Sequence, residues 1–119
     1  VRYGYHRKNV YKYIQTNKEI LNEKKTVFFS LNLTARKKDK NLPSTNPYIV
    51  KFLKKVDWDP TLKDVFAGRL DYPNLDFLNK LAILFIMVIT NGPKDISKTY
   101  ELTDWNRVDK LINSIINFQ

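Results

Sequence analysis

The sequence predicts an α/β fold built on a parallel sheet covered by helices, and three observations predict it. Residues 26–40, TVFFSLNLTARKKDK, open with a dense run of large apolar and β-branched side chains: Val27, Phe28, Phe29, Leu31 and Leu33. Such density leaves no wet face and reads as a strand buried on both sides, as in a parallel sheet between helix layers. Near the other end, Trp105, Val108, Leu111, Ile112, Ile115 and Ile116 share one side of a helix, the strongest helical period in the chain. Between and around these, helical and extended patterns alternate, which is the order of an α/β sheet.

Taken in order, residues 1–7 carry little regular pattern, and Gly4 permits a tight turn. Val10, Tyr13, Ile14, Asn17 and Leu21 then fall on one face of a helix from Lys8 to about Asn22. After the central strand the chain turns polar and basic, placing Asn32, Thr34, Arg36, Lys37, Lys38 and Lys40 at or beyond its carboxyl end. In open α/β sheets that edge is where ligands bind. Asn46 before Pro47 reads as an N-cap with proline at the first helical position, opening a helix to about Lys55 that buries Ile49, Phe52, Leu53 and Val56. Residues 57–60 read as a turn, 62–67 as a weaker strand, and Gly68 as a bulge or a close approach of ligand to backbone. Residues 69–73 look irregular. Residues 75–90 form a helix in which LAILFIMVI, 81–89, is unbroken apolar sequence, stopped by Asn91-Gly92-Pro93 with Gly92 expected in the left-handed conformation. Its length of roughly 24 Å is short of what a spanning helix needs. It is therefore either a core helix or one that dips into a bilayer surface or lines an apolar pocket. An edge strand is expected at 98–102, and Thr103-Asp104 caps the closing helix.

At 119 residues the chain holds one domain at most, and 43% hydrophobic content with 13% aromatic argues a folded one. Lys and Arg outnumber Asp and Glu by 21 to 12, so an anionic partner is expected, although charge alone does not choose among phosphate, nucleic acid, acidic lipid and carboxylated substrate. There is no cysteine, which excludes disulfides, thiol catalysis and thiolate metal sites, and the single histidine, His6, excludes a histidine-rich metal site. The aromatics lie mostly within apolar periods rather than alternating with basic residues, so nucleic acid is not expected as a partner. The opening residues, VRYGYH, read as a loop leaving a strand and lack the apolar core of a signal peptide; sequence ahead of Val1 is expected.

Several short pieces, in order and at matching spacing, carry a further resemblance. They are Arg2-Tyr3-Gly4, Ser30-Leu31-Asn32-Leu33 with Ala35-Arg36-Lys37, and Thr45-Asn46 before a helix holding Lys51-Phe52-Leu53. Ala67-Gly68 with Leu70 and Tyr72-Pro73 follow, then the apolar insertion, then Tyr100 with Thr103-Asp104-Trp105. On these residues the chain resembles the flavodoxin-like, quinone-dependent protoporphyrinogen IX dehydrogenases of bacteria, over essentially its whole length. The insertion after Tyr72-Pro73 is what separates that family from ordinary flavodoxins. The resemblance implies a flavodoxin-like, doubly wound parallel sheet. Residues 1–119 would be the C-terminal portion of a single such domain, with the insertion at about 71–93. The N-terminal strands and the hydroxyl-rich phosphate loop, roughly fifty residues, would precede it.

The resemblance also implies FMN-dependent oxidation of protoporphyrinogen IX to protoporphyrin IX, a six-electron step in haem biosynthesis, with menaquinone or ubiquinone as acceptor. The flavin would carry the redox chemistry, so no catalytic residue is assigned. By the same resemblance the flavin ring would lie against Arg2, Tyr3 and Gly4, against Ser30, Leu31, Asn32, Leu33, Thr34, Ala35 and Arg36, and near Gly68, Arg69 and Tyr72. Tyr3 would stack on the ring or pack as an ordinary loop aromatic. Arg69 would stabilise reduced anionic flavin or form a surface ion pair. Arg36, Lys37, Lys38 and Lys40 would attract substrate propionates or acidic lipid, or simply be solvated. His6 receives no catalytic role, because the family tends to place His before Tyr where this chain has Tyr5-His6. Phe77, Leu81, Phe85, Ile86 and Val88, flanked by Lys80, Lys94 and Lys98, would dock the flavin domain on the membrane surface, peripherally at the cytoplasmic face of the bacterial inner membrane, with self-association left open. The competing reading is a flavodoxin-type electron-transfer protein or quinone reductase without porphyrin specificity.

Overall fold

The computed structural model describes residues 1–118. In chain order the elements are α1 (Lys8–Thr16), α2 (Lys18–Glu23), β1 (Val27–Leu31), α3 (Pro47–Val56), β2 (Leu62–Phe66), β3 (Arg69–Asp71), α4 (Phe77–Ile89), β4 (Thr99–Glu101) and α5 (Trp105–Asn117). They divide into two compact units, the first Val1–Ala67 with Thr103–Gln119 and the second Gly68–Leu102.

In the first unit β1 and β2 pair in parallel, with Val27 opposite Leu62 and Leu31 opposite Phe66, and α3 makes the crossover between them. The pairing begins with a reciprocal bond, Thr26 N–H to Thr61 Oγ1 (3.0 Å) and Thr61 N–H to Thr26 Oγ1 (3.2 Å). One face of β1 packs on α1 and α3: Ile14, Phe52, Val56 and Trp58 form the buried cluster, with Phe28 stacked on Phe52 at 5.2 Å between centroids. Tyr11 meets the same Phe52 ring edge-on at 4.6 Å.

Three expectations for this unit change. The helix expected from 8 to 22 is two helices, because the Asn17 side chain turns back to donate to Tyr13 O (2.8 Å) and offers the backbone an alternative to continuing. The central strand is not buried on both faces: Phe29 and Leu31 are 54% and 49% exposed. Alternate side chains of a strand point to opposite sides, and α5 packs on the neighbouring β2, leaving the Phe29 side of β1 uncovered among the described residues. The closing helix α5 is capped as expected by Asp104, which accepts from Arg107 N–H, but Trp105, Ile112 and Ile116 on its apolar side are exposed.

In the second unit the stretch expected to be irregular starts with β3, and the strand expected near 98–102 is β4. The two pair with each other antiparallel, Leu70 opposite Tyr100, as a separate two-stranded ribbon. Leu70, Tyr72 and Met87 are buried, and the Tyr72 hydroxyl donates to Pro93 O at 2.6 Å. Asp76 caps α4, accepting from Asn79 N–H at 2.8 Å. At the far end Asn91 (φ 54°), not Gly92, takes the left-handed conformation, while Gly92 N–H donates to Met87 O at 2.8 Å. The helix stops at Ile89 with Thr90 as cap, so the left-handed site falls one residue earlier than the glycine, and asparagine tolerates it. Among the described residues no helix is long and apolar enough to cross a membrane.

Candidate functional site at the carboxyl end of the first strand

Three segments of the first unit meet where β1 ends. The first is the turn at residues 2–5, closed by Arg2 N–H to Tyr5 O (2.9 Å) and Tyr5 N–H to Arg2 O (3.0 Å). Both central residues are left-handed, Tyr3 at φ 50° and Gly4 at φ 81°, the geometry of a primed two-residue turn. The nitrogen of Val1 donates to Leu31 O at 2.8 Å, beside the strand. The turn lifts the Tyr3 ring into solvent, 69% exposed, with the Arg2 guanidinium 5.3 Å from its centroid.

The second segment continues β1. Asn32 N–H donates to Phe66 O (3.0 Å), then residues Leu33–Arg36 form a 3-10 turn capped by the Asn32 side chain, which accepts from Ala35 N–H at 3.2 Å. Asn32 and Ala35 are buried, so what this segment presents is backbone, the half-exposed Leu31, and the partly buried side chains of Leu33, Thr34 and Arg36. Arg36 folds back to donate to Leu33 O at 3.0 Å. Of the basic residues beyond it, Lys38 is exposed, and Lys37 and Lys40 are partly buried.

The third segment is the start of α3. Asn46, wholly buried, accepts from Tyr48 N–H (3.2 Å) and Ile49 N–H (3.5 Å), and it exchanges bonds with Asn32. Asn32 Nδ2 donates to Asn46 Oδ1 at 3.1 Å, and Asn46 Nδ2 donates to Asn32 Oδ1 at 2.9 Å.

The structure gives Ser30 a different setting from an open contact: it is 2% exposed and bonded to His6, Ser30 Oγ to His6 Nε2 at 2.8 Å. His6 also lies over Phe52 at 4.2 Å, and burial pushes its pKa down to about 4, so the ring is neutral. Two further partnerships were invisible in the sequence. Arg107 of α5 donates to Asp64 of β2 and to Asn41 O, tying the loop after β1 to the closing helix. The reciprocal Asn32–Asn46 pair joins residues 14 apart, and the only sequence signal was the cap.

The remaining candidate residues lie in the second unit. Gly68 is left-handed (φ 80°), and a Cβ there would meet nothing within 4 Å, so its requirement for glycine is conformational and its surroundings are open. Arg69 lies 3.6 Å from Asp71 as a surface ion pair. Asp71 is held below the usual carboxylate range by bonds from Asn74 and Thr99. Tyr72 is buried, so its side chain serves packing. On α4, Phe77, Leu81, Phe85, Ile86 and Val88 are 73%, 47%, 67%, 51% and 56% exposed, with Leu78 and Ile89 exposed beside them. A helix of nearly unbroken apolar sequence therefore buries Met87 and shows much of the rest.

A parallel strand pair with a helical crossover, whose polar turns gather at the strand's carboxyl end, defines an α/β protein of the open-sheet class. The chain belongs to the flavodoxin domain family, whose model matches residues 1–97. It is similar to a protein of Leishmania major named protoporphyrinogen IX dehydrogenase [quinone], 43% identical over 108 residues, which are 91% of this chain and 47% of that protein. It is also similar to the protein of the same name in Escherichia coli K12, 34% identical over 115 residues, 97% of this chain and 64% of that one. The chain thus spans between about half and just under two thirds of the length of these curated relatives. No solved structure matches it significantly.

Proposed function

We propose that the protein carrying this chain oxidises protoporphyrinogen IX to protoporphyrin IX by six electrons, with bound FMN as the redox group and menaquinone or ubiquinone as acceptor. Residues 1–119 would be the C-terminal portion of one flavodoxin-like domain with an insertion at about 71–93. The observation that carries the reading is collinear likeness, across 91% and 97% of the chain, to relatives named for that reaction.

The residues at the end of β1 fit a flat aromatic group. Tyr3 offers an exposed ring face on a turn fixed by two backbone bonds, and the 3-10 turn Leu33–Arg36 offers a backbone edge for the polar rim of the ring. The first N–H groups of such a turn have no partner within it and are available to an acceptor. When bound, the flavin supplies hydride and electron transfer; the protein places it and keeps water from its face. Arg36 and its neighbouring lysines favour the substrate's propionates by charge. The exposed side of α4 suits an apolar porphyrinogen, a lipid-dissolved quinone and the membrane surface that holds the quinone, which supports a peripheral location at the cytoplasmic face of the inner membrane.

The test is the purified full-length protein. It should show flavin absorbance and, anaerobically with porphyrinogen and menaquinone, develop porphyrin fluorescence above the autoxidation background. Flavin with quinone reduction and no porphyrin formation would favour an electron-transfer flavodoxin or quinone reductase; a colourless protein would end the proposal.

A further inference from the structure

Asn46 is read most simply as the N-cap of α3. A cap needs one oxygen acceptor, and Asp, Ser or Thr would supply it as well. Asn46 Oδ1 performs that task toward Tyr48 and Ile49. Its nitrogen has a separate occupation: Nδ2 donates to Asn32 Oδ1 (2.9 Å) and to Lys40 O (2.9 Å). An amide carries two N–H donors, so both are used, and Oδ1 accepts from Asn32 Nδ2 besides capping. The Asn46 backbone N–H also donates to Leu42 O at 2.8 Å. The side chain therefore ties together the two ends and the middle of the loop at 32–46. Asn32 in turn spends its Oδ1 on Asn46 and on Ala35 N–H, which sets the 3-10 turn.

We infer that Asn46 is a positioning residue for the flavin: its amide nitrogen, acting through Asn32 and Lys40 O, holds the backbone of residues 33–36 in the shape that meets the ring edge, independently of its cap. The inference rests on the flavin reading above and adds to it a residue that touches no ligand. Asn46 is wholly buried, so neither solvent nor a ligand replaces these bonds when they are removed.

Two substitutions separate the roles. Asn46→Ser keeps a capping oxygen and loses the nitrogen. Asn46→Asp also caps, but it sets an oxygen against Asn32 Oδ1 and Lys40 O where a donor stood. In the full-length protein three quantities are measured: flavin dissociation constant by fluorescence, the visible flavin spectrum, and amide hydrogen exchange with the flavin removed. The expected result is flavin affinity falling about tenfold in Asn46→Ser and further in Asn46→Asp, with a shifted flavin spectrum. Exchange should quicken at least tenfold at 33–40 while amides at 50–56 in α3 stay as in the wild type. Wild-type affinity in Asn46→Ser overturns the inference while leaving the flavin reading intact, and so does exchange that quickens equally across 33–40 and 50–56. A wild-type protein that binds no flavin overturns the flavin reading itself, and with it the inference.

Discussion

Replacing Leu81 with Ser and Phe85 with Asp tests the proposed membrane dock at the least cost to folding. The two side chains are 47% and 67% exposed, so together they offer lipid slightly more than one whole apolar side chain. Full burial of a Leu or Phe side chain is worth about 1.5–3 kcal/mol, which puts the lost transfer energy near 1.7–3.4 kcal/mol. That corresponds to a fall of roughly twenty- to three-hundredfold in vesicle partitioning, and the carboxylate adds a further penalty inside the bilayer surface. The covered half of Leu81 and third of Phe85 are lost as well, so unfolding should become easier by about 1–2 kcal/mol, which a folded variant tolerates. Co-sedimentation with vesicles of zwitterionic lipid, read alongside a denaturation curve, gives both quantities. Sedimentation equal to that of the wild type, in a variant that is folded, would remove α4 from the membrane argument.

Other expectations follow from the first unit. His6 is neutral in the fold with a pKa of about 4 against 6.5 unfolded, so the unfolded chain binds the extra proton and stability falls as pH drops from 6.5 to 4. Because the ring is only half-buried, the loss is about 1–2 kcal/mol; His6→Phe, which keeps the stack on Phe52, should flatten that part of a stability-against-pH curve. Phe52→Ala removes the ring on which Phe28, His6 and Tyr11 converge and should cost about 3–5 kcal/mol by denaturant titration. Arg107→Ala strands Asp64 without its partner in a mostly buried place and should cost about 2–4 kcal/mol, while Arg107→Leu combined with Asp64→Asn recovers part of it. Binding to vesicles that contain acidic lipid should weaken as salt rises from 0.05 to about 0.5 M, whereas the loss caused by the α4 substitutions should be the same at every salt concentration.

What the sequence made legible was local chemistry. Asn46-Pro47 announced α3, Asp104 announced α5, and the switch from apolar to basic after Leu33 marked the carboxyl end of β1. What it hid depended on partners far along the chain. Apolar density in VFFSL says that Phe29 and Leu31 favour burial, but burial also requires an element to lie over them, and α5 packs on β2 instead. The site divides the same way. Gly4 could be read as permitting a tight turn, whereas the left-handed Tyr3 beside it, the Asn32–Asn46 exchange and the Arg107 tie to Asn41 arise only once separate segments are folded together. Ser30 was assigned to an open site by resemblance, and its bond to His6 follows from a strand period that turns alternate residues inward.

The charge and the grease of this chain are segregated. Of the 21 Lys and Arg, 17 lie in the first unit together with 8 of the 12 acidic residues; the second unit holds 4 of each and is neutral. The net charge of +9 therefore belongs entirely to the unit with the strand-end site, and the exposed apolar helix stands in a unit with no net charge. These are separable forces with different ranges. A field from clustered lysines reaches about 8 Å in physiological salt and draws in carboxylated substrate or an acidic surface; apolar contact acts only on touching and is indifferent to salt. The proposed substrate, which pairs two propionates with a greasy macrocycle, and the proposed acceptor, confined to a bilayer, would call for both forces. The composition of α1 and α3 shows the first of them plainly: Lys8, Lys12, Lys51, Lys54 and Lys55 sit on these two helices with no acidic residue on either. Solubility alone does not require that separation, since charge spread evenly over both units would serve it as well.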